Sequence, residues 1–436
     1  MDAAQSQRQI MSRKVTTQQE RIRGMGLLFV CLMTLGMGHS LFFAIFPPLA
    51  RDLGLSEVQA SAIFTLSAVL WVLMSPVWGR RSDVWGRKPV ILLGLVGFGI
   101  STGGLALLLL IGQQGWLPLM TLYILMIIIR SIFGLFGSGS PSAAQAYIAD
   151  RTTREERTGG VAAIGAAFGM GTIIGPGFAA VLAAVHLLAP FFAVAVFALC
   201  GAVAIALFLP ERQKPAARRP DLPPLKITDK RIRLFLFLGV AVSTIGAAVM
   251  QVAAFFVMDT MQLTGKETAQ VVGVGMMGMA MAALFAQLVI IPRIKASVRA
   301  LLVIGILITM LGISLLLIPN MNSALFAVSL TLQGLGSGFM RPAVAAGGSL
   351  AVTPEEQGAV AGFNSSTAAV GFVFVPVVLM PLYLYSPTAP FWAAFVLSGL
   401  ILLTTRSKQL DVMEAPIDTE SVEEDAMTRP DRHKNF

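Results

Sequence analysis

Charge is scarce in this chain. Only 13% of its 436 residues are Asp, Glu, Lys or Arg, while 56% are hydrophobic. The mean hydropathy is +0.77. A water-soluble fold needs far more charge to cover its surface, so that class is excluded. Cysteine is scarce too. Cys31 and Cys200 both fall in apolar runs and form neither a CxxC nor a metal-ligand spacing. A disulfide framework and a thiolate metal site are thereby excluded, and both read as small apolar core residues. No P-loop, HExxH or Gly-x-Ser-x-Gly occurs. A nucleotide-driven pump or a hydrolase thus has no basis here, and neither cofactor nor metal is expected.

What is present is apolar length. About 20 apolar residues span a bilayer. Twelve runs qualify, near 25–50, 58–78, 90–112, 117–140, 159–184, 189–210, 234–258, 269–290, 300–318, 323–350, 358–384 and 388–405. Each must be a helix, because lipid offers no partner to an unsatisfied backbone group. The expected fold is an all-α membrane protein. The first run is too long for a removable signal segment, and further runs follow it.

The formal net charge of +9 reports topology. Nearly all of the 32 Lys and Arg lie in the two tails and on alternate loops, while the opposite loops carry only Arg51 and Lys266. By the positive-inside rule both termini are cytoplasmic in a cell (inner) membrane. The basic excess therefore implies no nucleic-acid partner.

The chain reads as two halves. Segment 211–233, "ERQKPAARRPDLPPLKITDKRIR", is polar, basic and Pro-rich, as a cytoplasmic linker would be. It separates a bundle at 25–210 from one at 234–405, with tails at 1–24 and 406–436. The last tail is rich in acids, poor in apolar residues and expected to be disordered. "GSG" at 137–139 followed by "TREERTGG" at 153–160 is echoed by "GSG" at 336–338 and "TPEEQGAV" at 353–360. "LGLSEVQA" at 53–60 is loosely echoed by "LTGKETAQ" at 263–270. Repeats of this kind mark secondary transporters, whose site lies at the midplane between repeats.

One polar stretch interrupts the apolar pattern. "WGRRSDVWGRKP", 78–89, joins the second and third runs. Gly79 and Gly86 let two helix ends approach and turn. Asp83 needs a partner such as a helix N-terminus. Arg87 and Lys88 need anions, and Asp150 at the end of the fourth run is the natural candidate. Read alone, the stretch is also compatible with a solvated basic loop. Its Gly-x-x-x-Asp-x-x-Gly-Arg-Lys pattern resembles the signature of the major facilitator superfamily, matched at Gly79, Asp83, Gly86, Arg87 and Lys88. That resemblance implies twelve helices in two six-helix bundles. It also places Asp83 against the start of helix 11, near Gly358 to Gly362, and Arg87 against the acid ending helix 4. Such a cluster suits a conformational switch.

Two further stretches resemble drug:proton antiporters of that family. "RSIFGLFGSG" matches the helix-4 Arg-x-x-x-Gly motif at Arg130 and Gly134, with Phe136 where a small residue is usual. The family links that Arg with proton coupling. "GMGTIIGPGFAA" resembles the antiporter motif at Gly171, Gly175 and Pro176, with Ala179 and Ala180 in place of its closing glycines. Small residues there still permit close helix contact.

Ionisable groups inside the membrane are site candidates by default. Arg130 lies about 20 Å along its helix from Leu117, and His39 about 20 Å from Met25 on the cytoplasmic side, at 1.5 Å per residue; His39 reads equally as a helix-packing histidine. Phe43 and Phe46 follow His39 on one helical face. Arg341 precedes Pro342 toward the cytoplasmic end of the tenth run and reads more readily as a snorkelling residue beside a kink than as a site residue. Gln251 and Phe255 share a face of the seventh run, and Asn364 opens the polar run Asn364 to Thr367 of the eleventh. The Met run at 276–281 reads as packing. No Asp or Glu lies deep in any run; Asp52, Asp259 and Glu267 sit near outer ends. This departs from relatives that bind cations on a buried carboxylate. His39 is then the leading proton carrier, since its ordinary pKa lies near working pH. Asp52 and Asp259 are the alternatives. The expected substrate site comprises His39, Phe43, Phe46, Arg130, Gln251, Phe255, Arg341 and Asn364.

Three readings compete. A monomeric proton-coupled antiporter would export a small amphiphilic molecule. A proton-coupled importer would carry a small organic anion. A membrane scaffold or receptor would transport nothing, but it would need no deep Arg130.

Overall fold

The computed structural model describes residues 18–150, 154–210, 226–294, 296–352, 356–407 and 410. The expectations for most of the tails and linker fall outside these residues, as does the side chain of Asp83.

The described chain is helical throughout. In the first half, α1 is Gln18–Asp52, α2 Glu57–Trp85 and α3 Arg87–Gln113. α4 runs through Leu119–Ile132, a π-helical turn at Phe133–Gly137, and Gly139–Ala149. α5 is Arg154–Ala183 and α6 Ala189–Phe208. In the second half, α7 is Arg233–Met261. α8 joins Gly265–Phe285, a π turn at Ala286–Ile290, and Ile291–Ile294. α9 is Val298–Leu316 and α10 Ser323–Leu350. α11 joins Gln357–Phe374, a π turn at Val375–Leu379, and Met380–Tyr385; α12 is Ala389–Thr404. Ten are long and apolar enough to cross a membrane, and the last two positions hold the shorter apolar stretches Ala369–Tyr385 and Ala389–Thr404. This is a multi-pass membrane protein. Both ends of the crossing set emerge on one face, called here the basic face; the opposite one is the outer face.

Several helices outrun their apolar spans. α1 begins at Gln18 rather than near Met25, and α5 at Arg154. Polar helix formers such as Gln, Glu and Arg continue the backbone pattern into water. The largest correction concerns 78–89. α2 continues to Trp85, so most of this stretch is helix and the turn is Gly86 alone. Gly86 has φ 103°, a conformation that favours glycine. Gly79 lies inside α2 with open space where a Cβ would be, so it permits no close approach here.

The half-repeat is visible in the helix caps. Ser56 caps α2 and Gln59 reaches back to it; Thr264 caps α8 and Glu267 reaches back likewise. These reciprocal pairs each satisfy two free donors.

Within the halves, α1 packs along α5, α3 on α6, α9 on α10 and α7 on α11. Four helix pairs join the halves: α5 with α8, α2 with α11, and α1 with both α7 and α8. Glycine makes the close approaches. A Cβ on Gly171 would meet the Met33 carbonyl, and one on Gly175 would stand 2.5 Å from the Met37 carbonyl oxygen. α1 replies with Gly36, whose missing side chain leaves room for the Phe168 carbonyl. Dispersion between close backbones is what holds helices together in lipid.

Cys31 is buried against Gly201, but Cys200 is exposed and is not a core residue. α1 turns Cys31 onto α6, whereas α6 leaves Cys200 uncovered, which composition could not reveal.

Candidate functional site

A cavity of about 200 Å³ lies between the halves. His39 and Phe43 of α1, Phe64, Ser67, Ala68 and Trp71 of α2, Arg130 and Phe133 of α4, and Phe168 of α5 line it, with Ala369 and Phe372 closing it from α11. The wall is largely aromatic. Phe43 stacks on Phe64 with centroids 5.0 Å apart and meets Phe372 at 5.6 Å. The His39 ring stands among Phe43, Phe168 and Phe372 at 5.7, 6.1 and 5.8 Å.

Arg130 is 2% exposed. Its guanidinium carbon lies 4.6 Å from the ring centroids of both Phe42 and Phe133. Its Nε and Nη1 are buried without a hydrogen-bond partner. Cation–π contact offsets part of the desolvation of the charge, about 2 kcal/mol where water is excluded, but it leaves the in-plane N–H groups unsatisfied. No carboxylate lines the cavity among the described residues.

Local sequence explains the placement. The π turn begins three residues after Arg130. Such turns add a residue and turn the helix face, and they recur at functional sites. The carbonyl of Leu135, within it, accepts a hydrogen bond from Trp78 Nε1 of α2. Gly134 lets α4 lie against Ser67, which sets Arg130 beside the α2 wall. Phe136, the departure from the family's small residue, packs where Gly97 of α3 makes room. Ala180, the departure in α5, likewise faces Gly273 of α8.

The expected binding residues divide. His39, Phe43 and Arg130 share the cavity. Phe46 is fully buried behind it, against Phe42 and Phe64. Gln251 ties α7 to α11 by donating to the Phe372 carbonyl at 3.2 Å. Phe255 lies beneath the Arg51 guanidinium at 5.3 Å. Arg341 is exposed on α10 beside Gly246 of α7, and Asn364 is half-buried on α11 near Gly348. These five lie outside the cavity wall.

The antiporter-motif stretch has two faces. Gly171 and Gly175 press α5 onto α1, whereas the Pro176 carbonyl meets Gly273 and Gly177 meets Met277 across the halves. Met277 is thus inter-half packing, as the Met run suggested.

On the basic face, Arg87 Nε donates to Asp150 Oδ2 at 3.0 Å and Nη1 to Ser82 Oγ at 2.6 Å. Lys88 Nζ donates to the carbonyls of Ala206 and Leu209, both at 2.8 Å. It thereby satisfies free acceptors at the end of α6, where a cation is favoured. Arg231 bridges Asp229 and Glu356, and these bonds hold the Asp229 carboxyl below its usual range.

At the outer face lies a network that the sequence reading missed. Arg51, ending α1, donates Nη1 to Asp259 Oδ1 at 2.5 Å and Nη2 to Oδ2 at 2.9 Å. It also donates to Glu57 Oε1 from Nε and Nη2 at 3.1 and 2.6 Å. Tyr383 of α11 donates to Asp259 as well. Two halves are thus tied at the outer mouth by one bidentate pair. The sequence signal was Arg51 as one of two cations, with Lys266, on an otherwise cation-poor face. The cavity wall had a clearer one: positions 64, 67, 68 and 71 form a single helical stripe.

These features match a known family. The profile of the Major Facilitator Superfamily matches residues 28–296. The chain belongs to the Major Facilitator Superfamily. Members are transporters rather than enzymes, and they bind small-molecule substrates within the membrane. A curated relative, multidrug resistance protein 1 of Bacillus subtilis (strain 168), is 28% identical over 377 residues, covering 85% of this chain and 92% of that protein. Among solved structures, the nucleoside transporter NupG aligns with TM-score 0.68 at 12% identity, over 91% of this chain and 100% of that one. The human organic anion transporter MFSD10 (TETRAN) aligns with TM-score 0.62 at 19% identity, over 88% and 99%. At these identities the structural matches speak to fold.

Proposed function

We propose that this protein is a proton-coupled antiporter that exports a small amphiphilic molecule by alternating access. It acts as a monomer in the cell (inner) membrane with both termini cytoplasmic, and the residues at 25–210 and 234–405 form the two moving bundles. The observation that carries this reading is the aromatic cavity between halves, with Arg130 buried in its wall and the outer mouth tied by Arg51 and Asp259. A largely apolar cavity with a few polar groups in its wall is what a small amphiphile needs. Closure on one side is what a site exposed alternately to two sides needs. The Arg87–Asp150 pair supports a switch on the basic face, with Gly79, Asp83, Gly86 and Lys88 as its other members. Gly171, Gly175 and Pro176 support the antiporter type, because they weld α5 to α1 while touching α8. His39, inside the cavity, is the proposed proton carrier, and Arg130 biases it without itself losing its proton.

The experiment is substrate-screened transport in inside-out vesicles with an imposed pH gradient. Uphill uptake that collapses with the gradient is the expected result. No gradient-dependent flux of any amphiphile would sink the proposal.

A second reading, import of a small organic anion, draws support from the uncompensated guanidinium. It predicts gradient-driven uptake in right-side-out vesicles and none in inverted ones.

A further inference from the structure

We infer that the molecule held in the central cavity is an aromatic anion, with a carboxylate placed on Arg130. This rests on the reading of the cavity as the substrate site, but not on the direction or coupling of transport.

Three observations carry it. First, the Arg130 guanidinium lines the cavity with its faces covered by Phe42 and Phe133, while Nε and Nη1 have no partner. A buried cation with unpaired in-plane donors is half of a charge-assisted pair, and a carboxylate matches its fork geometry. Second, no described acid lines the cavity, and two acids of the outer mouth, Asp259 and Glu57, are already taken. Asp259 is bonded to Arg51 and Tyr383, and Glu57 to Arg51. The anion has to come from outside the chain. Third, the remaining wall consists mainly of ring faces and edges, from His39, Phe43, Phe64, Trp71 and Phe372. Offset and edge-on packing favours a flat aromatic body. A cation there would meet Arg130 with no compensating acid, and a neutral molecule, even one whose carbonyl accepts from these donors, would leave the buried charge uncompensated.

The test uses the full chain, purified into lipid nanodiscs, with Trp71 fluorescence as reporter. Three isosteric probes are titrated: 1-naphthoate, 1-naphthamide and 1-naphthylmethylammonium. The expected result is saturable quenching by naphthoate, at least tenfold tighter than by the amide or the ammonium, and lost in Trp71→Phe. Arg130→Gln is expected to abolish the preference for the anion, and Arg130→Lys to restore part of it. Equal or tighter binding of the amide or ammonium by the unmodified protein overturns the inference, whatever the variants do. So does chloride, at constant ionic strength, if it displaces naphthoate and produces the same Arg130-dependent response alone. Binding does not need transport. Naphthoate binding without gradient-driven flux would refute the antiporter reading and leave this inference standing, and flux of a neutral amphiphile without anion preference would do the reverse.

Discussion

Replacing Asp259 with Asn should open the outer mouth. The Arg51–Asp259 pair is the charged tie between α1 and α7, with two hydrogen bonds at 2.5 and 2.9 Å. Its side chains are 25% and 33% exposed, so water screens part of the attraction. A sheltered charge-assisted bond contributes about 1.5–3 kcal/mol, and a fully exposed ion pair about 0–1 kcal/mol. For a half-exposed bidentate pair we take about 1–3 kcal/mol, which is roughly a 5–150-fold change in the ratio of open to closed mouths. An outward-open state at about 1% would then rise to about 5–60%. Tyr383 also loses its anionic acceptor, which acts in the same direction. The assay is pulsed dipolar spectroscopy between spin labels at Gln114 and Tyr385, both exposed at outer helix ends, with the two native cysteines replaced. A longer-distance population should appear in Asp259→Asn. Glu57→Gln is the control, because Glu57 binds Arg51 from within the same half and should change the distribution far less. Indistinguishable distributions in Asp259→Asn and the unmodified chain would refute the assignment of this pair as the outer tie. Equal shifts in the two variants would show that Arg51 is merely being destabilised.

Gly175→Leu forces a side chain into the Met37 backbone, 2.5 Å away at its Cβ alone, so coupled export should fall at least tenfold while membrane insertion, measured by blotting, persists. Export at normal rate would mean that the α1–α5 seam is not part of the mechanism. Arg87→Ala removes the bonds to Asp150 and Ser82, and Asp83→Asn removes the neighbouring charge; both should slow turnover several-fold for every substrate tested while leaving binding affinity within about threefold. A change in substrate preference instead would place this cluster in recognition. His39→Gln should retain downhill flux and lose pH-gradient-driven accumulation; if accumulation is normal and Asp52→Asn abolishes it, the proton travels by the outer acid.

Much of the architecture was legible in one dimension. Apolar runs long enough to cross a bilayer can only be helices, and alternating basic loops can only be drawn with both ends on one face. Helix ends were less legible. α2 runs on through "GRRSDVW" to Trp85 because helix propensity, not apolarity, decides where a helix stops once it leaves lipid. Arg130, His39 and Phe43 stood out as deep polar or aligned aromatic positions, and they do meet. Phe46 shares their helical face but belongs to the core, because one face of a helix this long serves both cavity and packing.

Pairings across the two halves were not available from the sequence. Arg51 with Asp259 and Tyr383, Pro176 with Gly273, and Phe372 with Phe43 join residues from different helices. Each is set by how rigid helices cross, which depends on glycine contacts spread along the whole chain. The sequence by itself determined the solvent of this protein, its secondary structure and its family, since each follows from local composition or a contiguous motif. Only the tertiary structure decided that Arg130 stands against the Phe42 and Phe133 rings in an aromatic wall. The neighbours of a buried charge are chosen by distance in space, and no spacing along the chain encodes them.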